Sequence, residues 1–329
     1  MSTQWFRRYQ LIVGKGGHGI SIDNLRDAPS LRIKFEVRKS LQKEPNPAKF
    51  EIYNLGPVNV NALQNEYTDL SLRCGYNDNV KLLFSGNTQF VSYYHDKADT
   101  ICEVICGDGD QQYRESFVNV TFAKGTTDEQ IVDYCLKQLP GINKGTLQLG
   151  STGALRGRTF SAMTRDALDE IARTNGCNWS IQDGTLHMVR ADAMLNANEA
   201  VVLTPETGLL QAAERSAHGI TATCLLNPDI SVNSAVKLDN SAIRTKFARN
   251  RRGSKQVNAK PPVSLNKDGI YKVFRVQHSG DTRGTDWRTE IMCVGLGQPV
   301  PTTTSNTGGA GAVPVEGWEG GGDAGGVGE

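Results

Sequence analysis

The sequence has no run approaching the ~20 consecutive apolar residues that a membrane-spanning helix needs. It has no excess of either charge: Lys plus Arg number 36 and Asp plus Glu 35, for a formal net charge of +1. That balance excludes a chain-wide polyanion binder and leaves room only for a local basic patch. His is scarce, at five, and neither H-E-x-x-H nor G-x-S-x-G occurs, which removes two recognisable hydrolase signatures. The seven Cys, at 74, 102, 106, 135, 177, 224 and 293, are odd in number and too sparse for a disulfide scaffold. The closest pair, Cys102 and Cys106, lies on one side of the strand-like run TICEVIC, and no second short-spaced pair completes a metal site. All seven read as buried thiols in a reducing compartment. What is present, 22% charged and 38% hydrophobic residues over 329 positions, fits a globular protein of two or three domains.

The run QWFRRYQLIVGKGG carries Arg7-Arg8 in a twin-arginine-like arrangement, but its apolar stretch stops after Leu11-Ile12-Val13, too short for export. It reads as a first strand, and the chain is expected to stay where it is made or to leave as part of something larger. In LRIKFEVR, Leu31, Ile33, Phe35 and Val37 alternate with Arg32, Lys34, Glu36 and Arg38, the period of a strand with one face in a core and one in water. KEPNPA, with Pro45 and Pro47, is expected to break the chain before a second strand, KFEIYNL, with Phe50 and Ile52 inward. Further strands are expected at Leu70–Cys74, Val80–Phe84, Gln89–Tyr94 and Ile101–Cys106, a spacing that suggests a sandwich or small barrel.

Between about 110 and 190 the pattern turns helical. In TTDEQIVDYCLKQLPG, Ile131, Val132, Cys135, Leu136 and Leu139 share a helical face, Thr126 with Glu129 forms a capping box, and Pro140-Gly141 end the helix. In TRDALDEIARTNG, Thr164 is expected to cap a second helix, Met163 to staple onto Leu168, and Gly176 to stop it. NWSIQDGTLHMVR is a hairpin about Asp183-Gly184. Strands return with AVVL, GITATCLL, SAVKLD, GIYKVFRVQH and WRTEIMCVG; the last two are joined by SGDTRGTD, where Asp281 and Gly284 fit the ends of a type I turn. The predicted organisation is a first β domain over 1–110, a small α+β insertion over 111–198, a second β domain over 199–298, and a tail over 299–329.

Two segments stand apart. Residues 244–267 hold eight Lys or Arg and no acid. This basic loop, with Arg249, Arg251 and Arg252 as candidate partner contacts, supports an alternative reading as a nucleic-acid-binding β protein. Phe247 is its lone aromatic, however, where single-strand binders stack several bases. The Gly-rich tail carries only acids, and alone it cannot bury enough apolar surface to offset its ordering entropy. A partner contact through Trp318 is expected.

No catalytic, cofactor-binding or metal residues emerge. In Gly14-Lys15-Gly16-Gly17-His18-Gly19 the Lys precedes the glycines and a strand follows, so a hairpin turn fits better than a phosphate loop. His278, Ser279 and Asp281 crowd one strand end, where a hydrolase relay cannot form. Asp108 and Asp110 begin like a calcium loop but lack its closing Glu, and Asp166 and Glu170 beside Arg165 and Arg173 are ordinary helix surface.

Several phrases together resemble the baseplate hub proteins of contractile-tailed bacteriophages, a group that includes the hub part of type VI secretion spikes. They are FEVRKSLQKEPNPAKFEIYNL, ALDEIARTNGCNWSIQDGTLHM, TPETGLLQAAERSAHGITATCLLNPDISVNSAVKL and GIYKVFRVQHSGDTRGTDWRTEIMC, in matching order across about residues 5–297. The resemblance implies a non-enzymatic protein, mainly β, with two tube-type β-barrel domains in one chain flanking the α+β insertion. It implies a homotrimer whose six similar barrels join a threefold central spike below to a sixfold tail tube, or tube initiator, above. Baseplate wedge or tape-measure proteins are further implied neighbours. DNA would be met only in passage through a central channel, lined by a charged strand face such as that of 31–38. No cofactor and no membrane insertion are implied, and the expected location is the virion tail baseplate after synthesis in the host cytoplasm.

Overall fold

The computed structural model describes residues 6–15, 18–25, 30–41, 45–77, 79–195, 199–245 and 262–298. In chain order these form β1 (Arg7–Lys15), β2 (His18–Asp23), β3 (Ile33–Ser40), β4 (Asn46–Tyr53), α1 (Pro57–Asn65), β5 (Asp69–Tyr76), β6 (Asn79–Asp96) and β7 (Asp99–Asp108). There follow α2 (Asp110–Glu115), β8 (Phe117–Phe122), α3 (Asp128–Lys137), β9 (Asn143–Leu147), β10 (Arg158–Met163), α4 (Thr164–Thr174), β11 (Cys177–Gln182) and β12 (Thr185–Arg190). The chain continues through β13 (Val201–Leu203), β14 (Glu214–Ser216), β15 (Gly219–Leu225), β16 (Ala235–Leu238), β17 (Arg244–Thr245), β18 (Ile270–Asp281) and β19 (Trp287–Gly295).

The alternation read from 31–38 is realised in β3, where Ile33, Phe35 and Val37 are buried and Lys34, Glu36 and Arg38 lie on the other face. Its neighbour β4 starts earlier than the prolines suggest. Asn46 and Pro47 are already in the strand, and Pro47 falls just beyond the last β3 pair, Val37 with Ala48, so its missing N–H takes nothing from that ladder. Between Val80 and Tyr94 there is one strand rather than two. Gly86 sits mid-strand, where a Cβ would come within 2.7 Å of both the Gly107 carbonyl oxygen and the Phe84 ring, and a bulge at Thr88/Phe90 re-aims the chain.

The capping of α3 is shifted by one residue. The Thr127 hydroxyl accepts from the Gln130 N–H (3.3 Å) and Gln130 accepts from the Thr127 N–H (3.0 Å). Thr126 is taken up by the preceding turn, donating to the Ala123 carbonyl (2.9 Å), and Glu129 pairs with Lys144 (2.7 Å) instead. At α4, Met163 occupies the cap position and Thr164 is the first helical residue, because its N–H is tied to the Ser116 carbonyl (3.0 Å). Gly176, with φ +62, supplies the left-handed exit. The turn of the β11–β12 hairpin has φ +52 at Asp183 and +73 at Gly184, the geometry of a type I′ turn.

Among the described residues, fourteen strands form one sheet, in the order β17-β14-β15-β19-β18-β3-β4-β7-β6-β5-β1-β2, with β16 on β18 and β13 on β16. The early and late β regions therefore share a ladder: β3 pairs antiparallel with β18, from Arg275 opposite Ser40 to Asp281 opposite Lys34. Among the described strands this ladder is open. Two small sheets, β8–β10 and β11–β12–β9, belong with α2, α3 and α4 to the insertion. Buried apolar side chains gather in three clusters. One centres on Leu11, Phe50, Leu72 and Phe84, a second on Ile131, Phe160, Trp179 and Met188, and a third on Ile220, Val236, Tyr271 and Ile291. Leu226 and Trp287, from the late strands, join the first cluster. All seven Cys are buried and free.

Candidate functional site: a polar joint and a charge-balanced face

Where the insertion meets the main sheet, the apolar packing gives way to buried polar groups. Lys39 follows Val37 on the inward side of β3, and only 4% of it is exposed. Its ammonium reaches the Asp183 carboxylate (2.5 Å) in the β11–β12 turn. Asp108, at the end of β7, accepts the two turn N–H groups, from Asp183 (2.6 Å) and Gly184 (3.1 Å). Asn46, at the start of β4, donates to the Ile181 carbonyl (3.0 Å) and the Gln182 side chain (3.2 Å) while accepting from the Ser40 N–H (2.9 Å). Burial pushes the Asp108 carboxyl up to about 6, with Asp183 adding to the rise and Lys39 and the turn N–H groups opposing it.

The other end of the same hairpin is held by a second buried cation. Lys272 of β18 is 1% exposed and donates to the Arg190 carbonyl (2.9 Å) at the end of β12. Burial lowers its ammonium to about 8, against the opposing pull of Asp192. The unfolded chain then binds more protons than the fold between about pH 8 and 10.5, so stability from this group rises through that window. Urea melts at pH 8 and pH 10 should show a rise in the wild type relative to Lys272→Met, which lacks the titrating group.

A second constellation ties the β18–β19 hairpin to the early strands. Arg32 grips Asp281 bidentately (3.1 and 2.6 Å). Ile33 and Thr282 exchange two bonds, N–H to hydroxyl and N–H to carbonyl, each 3.0 Å. Arg7 donates to the Gly284 carbonyl (2.7 Å) and lies 5.5 Å over the Trp287 ring. Trp287 meets Phe35 edge-on at 5.4 Å. Burial acts to raise the Asp281 carboxyl, but the Arg32 guanidinium and the turn N–H groups outweigh it and hold the group below its ordinary value.

The outward face of β3, β4, β7 and β18 is charged and largely balanced internally. Glu36 accepts from Arg38 (2.6 Å) and Gln277 (3.0 Å); Lys49 lies between Glu51 (3.2 Å) and Glu103 (2.9 Å); Lys34 pairs with Glu51 at 3.9 Å. Three cations of β3 and β4 thus face three carboxylates, and Arg275 of β18 adds a further exposed cation beside them.

Of the residues read from sequence, His278 is buried and bonded to the Thr289 hydroxyl (2.8 Å), and burial, with Lys39 nearby, lowers its imidazole to about 3. Asp281 is committed to Arg32 and the turn, Asp108 to the joint, and Asp110 to Arg114 one helical turn on. Lys15 stands opposite His18 in the antiparallel β1–β2 ladder, so the described residues of the Gly-rich run lie in paired strands. Arg249, Arg251, Arg252 and Trp318 lie outside the described residues. Of the joint residues, the sequence shows Asp108 only as part of an incomplete calcium loop and Asp183 only as a turn residue, while Lys39, Asn46 and Lys272 are not singled out. The available signal was a Lys at position 39, in phase with the apolar side of its strand.

The fold is similar to solved structures of phage tail proteins and of a type VI secretion component. The prophage MuSo2 43 kDa tail protein from Shewanella oneidensis superposes with a TM-score of 0.55 at 11% identity, covering 87% of this chain and 98% of that one. A tail protein from Neisseria meningitidis gives 0.53 at 10%, over 87% and 96%. The E. coli c3393 protein, a type VI secretion component with structural similarity to the T4 tail proteins gp27 and gp5, gives 0.51 at 10%, over 86% and 76%. No curated protein matches in sequence. Residues 31–245 match the family described as baseplate hub gp41, and the chain belongs to that family. It is a structural component of a phage tail.

Proposed function

We propose that three copies of this chain form the ring of a baseplate hub that joins a threefold spike to a sixfold tail tube. Each chain would contribute two tube-type β units, drawn from 1–110 and 199–298, with the 111–198 insertion attached through the polar joint. The observation that carries this reading is the single sheet running through both β regions behind a face of paired, mutually neutralised charges. Such a face is hydrated but offers little net attraction to a polyanion, which suits a channel wall that DNA passes without being held. Catalysis has no part in the reading: the buried titratable groups are engaged in holding strands together.

Light scattering tests it. The purified chain, alone or with its cognate spike protein, is expected at three times the monomer mass, and a monomer under both conditions overturns the trimeric reading. Charge reversal at Arg249, Arg251 and Arg252 should leave DNA affinity unchanged. A specific, salt-sensitive loss would favour the nucleic-acid reading instead.

A further inference from the structure

The two β regions repeat one strand plan. In the first, β3, β4, β7, β6 and β5 lie side by side, every neighbour antiparallel. In the second, β14, β15, β19, β18 and β16 do the same, with the same connectivity along the chain. The match extends to single residues. β6 bulges between Thr88 and Phe90, and β18 between Val273 and Arg275. Just before the bulge the Thr88 N–H donates to the Thr68 carbonyl (2.8 Å), and the Val273 N–H to the Ser234 carbonyl (3.0 Å). Cys106 stands opposite Thr88 as Cys293 stands opposite Val273, and Glu103 opposite Ser92 as Glu290 opposite Gln277.

Beyond the bulge the two units part company. There β18 leaves β16 and pairs with β3 of the first unit, from Arg275 to Asp281. The corresponding stretch of β6, Phe90–Asp96, pairs with β7 and has no second partner strand among the described residues. Exposed edges are normally blunted by Lys, Pro or shortness. FVSYYHD contains no Lys, Arg or Pro, and Phe90 is 58% and Tyr94 41% exposed.

The β3–β18 contact shows what fits such an edge. In the second unit the counterpart of β3 is β14. Lys49 stands between Glu36 and Ile105 as Thr221 stands between Glu214 and Met292, so Glu214 answers to Glu36. Glu36 lies opposite Ser279 of β18, whose counterpart in β6 is Tyr94. The outer flank of β14 carries β17, parallel to it, with Arg244 level with Glu214 and both β17 residues exposed. Carried over, the register sets Arg244 beside the half-exposed Tyr94 ring, a favourable cation–π pairing.

We propose that the Phe90–Asp96 edge of one copy adds antiparallel to the β14–β17 edge of the second unit in the next copy. It repeats between chains the contact that β18 makes with β3 within one. Such a contact is head-to-tail, the type that closes into rings. Each unit then uses one edge of each kind, and joints within and between chains alternate around the ring. This rests on the trimeric reading above and names its subunit contact.

The test is a full-length Tyr94→Cys, Arg244→Cys double variant treated with a short bismaleimide and run on a denaturing gel. Facing residues on neighbouring antiparallel strands lie within its reach, and the seven native thiols are buried. Linked dimers and trimers are expected from the double variant and from neither single one. Independently, Phe90→Lys with Tyr94→Lys should raise the protein concentration at which the trimer dissociates by about tenfold or more, because charges blunt the edge. An unchanged far-ultraviolet circular dichroism spectrum shows that this variant still folds. A wild-type trimer whose double variant stays unlinked and whose lysine variant dissociates no more readily overturns this contact and leaves the trimer standing. A wild type that is monomeric even with its spike overturns the trimeric reading and the contact together.

Discussion

Asp108→Ala is expected to lose about 2–4 kcal/mol of stability at pH 7.5, read from urea unfolding. The carboxylate accepts both N–H groups of the Asp183–Gly184 turn, and an alanine leaves those two buried donors without acceptors and Lys39 with only Asp183 for compensation. Part of the loss is offset, since a desolvated charge is removed as well, which places the effect below that of breaking a fully buried ion pair. Hydrogen exchange at the Asp183 and Gly184 amides should accelerate more than exchange in the β3–β4 ladder, because the damage is local to the joint. The pH dependence has a defined sign. With a folded value of about 6 against an ordinary 3.8, the fold binds the extra proton between those limits, so this group's contribution falls as pH rises through that window and is level above it. Relative to Asp108→Asn, the wild type should lose stability from pH 4 to pH 6 and hold constant from pH 7 to pH 8. A flat difference across the lower interval would show that the carboxyl is not desolvated as described.

The second large effect is expected at Trp287. Its side chain, 2% exposed, is the residue of β19 that enters the cluster of the early strands, against Phe35 and beneath Arg7. Trp287→Ala should lose about 3–5 kcal/mol, the range for deleting a large buried aromatic. The cavity cannot easily collapse, because Gly280 across the hairpin already approaches so closely that a Cβ there would lie 2.8 Å from the indole and 2.4 Å from the Phe35 ring. The indole N–H has no acceptor among the described residues, so the ring acts by packing, and Trp287→Phe should keep most of the stability. Urea melts of both variants, with wild type as reference, check the ranking. Equal losses for Ala and Phe would mean that the N–H, not the ring volume, matters.

Much of the architecture was legible because it is written in period-two alternation and turn chemistry, both local properties. Strand β3, the β11–β12 hairpin and the β18–β19 connection follow directly from such patterns. What local pattern could not give was pairing across the chain. Nothing in FEVRKS or VFRVQHSGD says that these two runs lie side by side, and the join depends on Arg32 meeting Asp281, 249 residues away. The α3 cap was misplaced by one residue because Thr126 and Thr127 are chemically alike, and the Thr126 hydroxyl is decided by the preceding turn. The joint was partly visible: a Lys at an inward position of an otherwise apolar face must find a buried anion. Only the fold could say that the anion is Asp183.

The pairing of β3 with β18 also sets a schedule for synthesis. Gln277 bonds Glu36 across 241 residues. At ordinary translation speeds the edge of β3 therefore waits roughly 10–50 s for its neighbour to leave the ribosome. Through that interval the amino-terminal third can assemble β3–β4–β7–β6–β5–β1 but must keep one flank bare, and contacts of such long range slow the search once the chain is complete. Through that wait the bare flank is an unpaired strand edge open to chaperone capture or premature self-association.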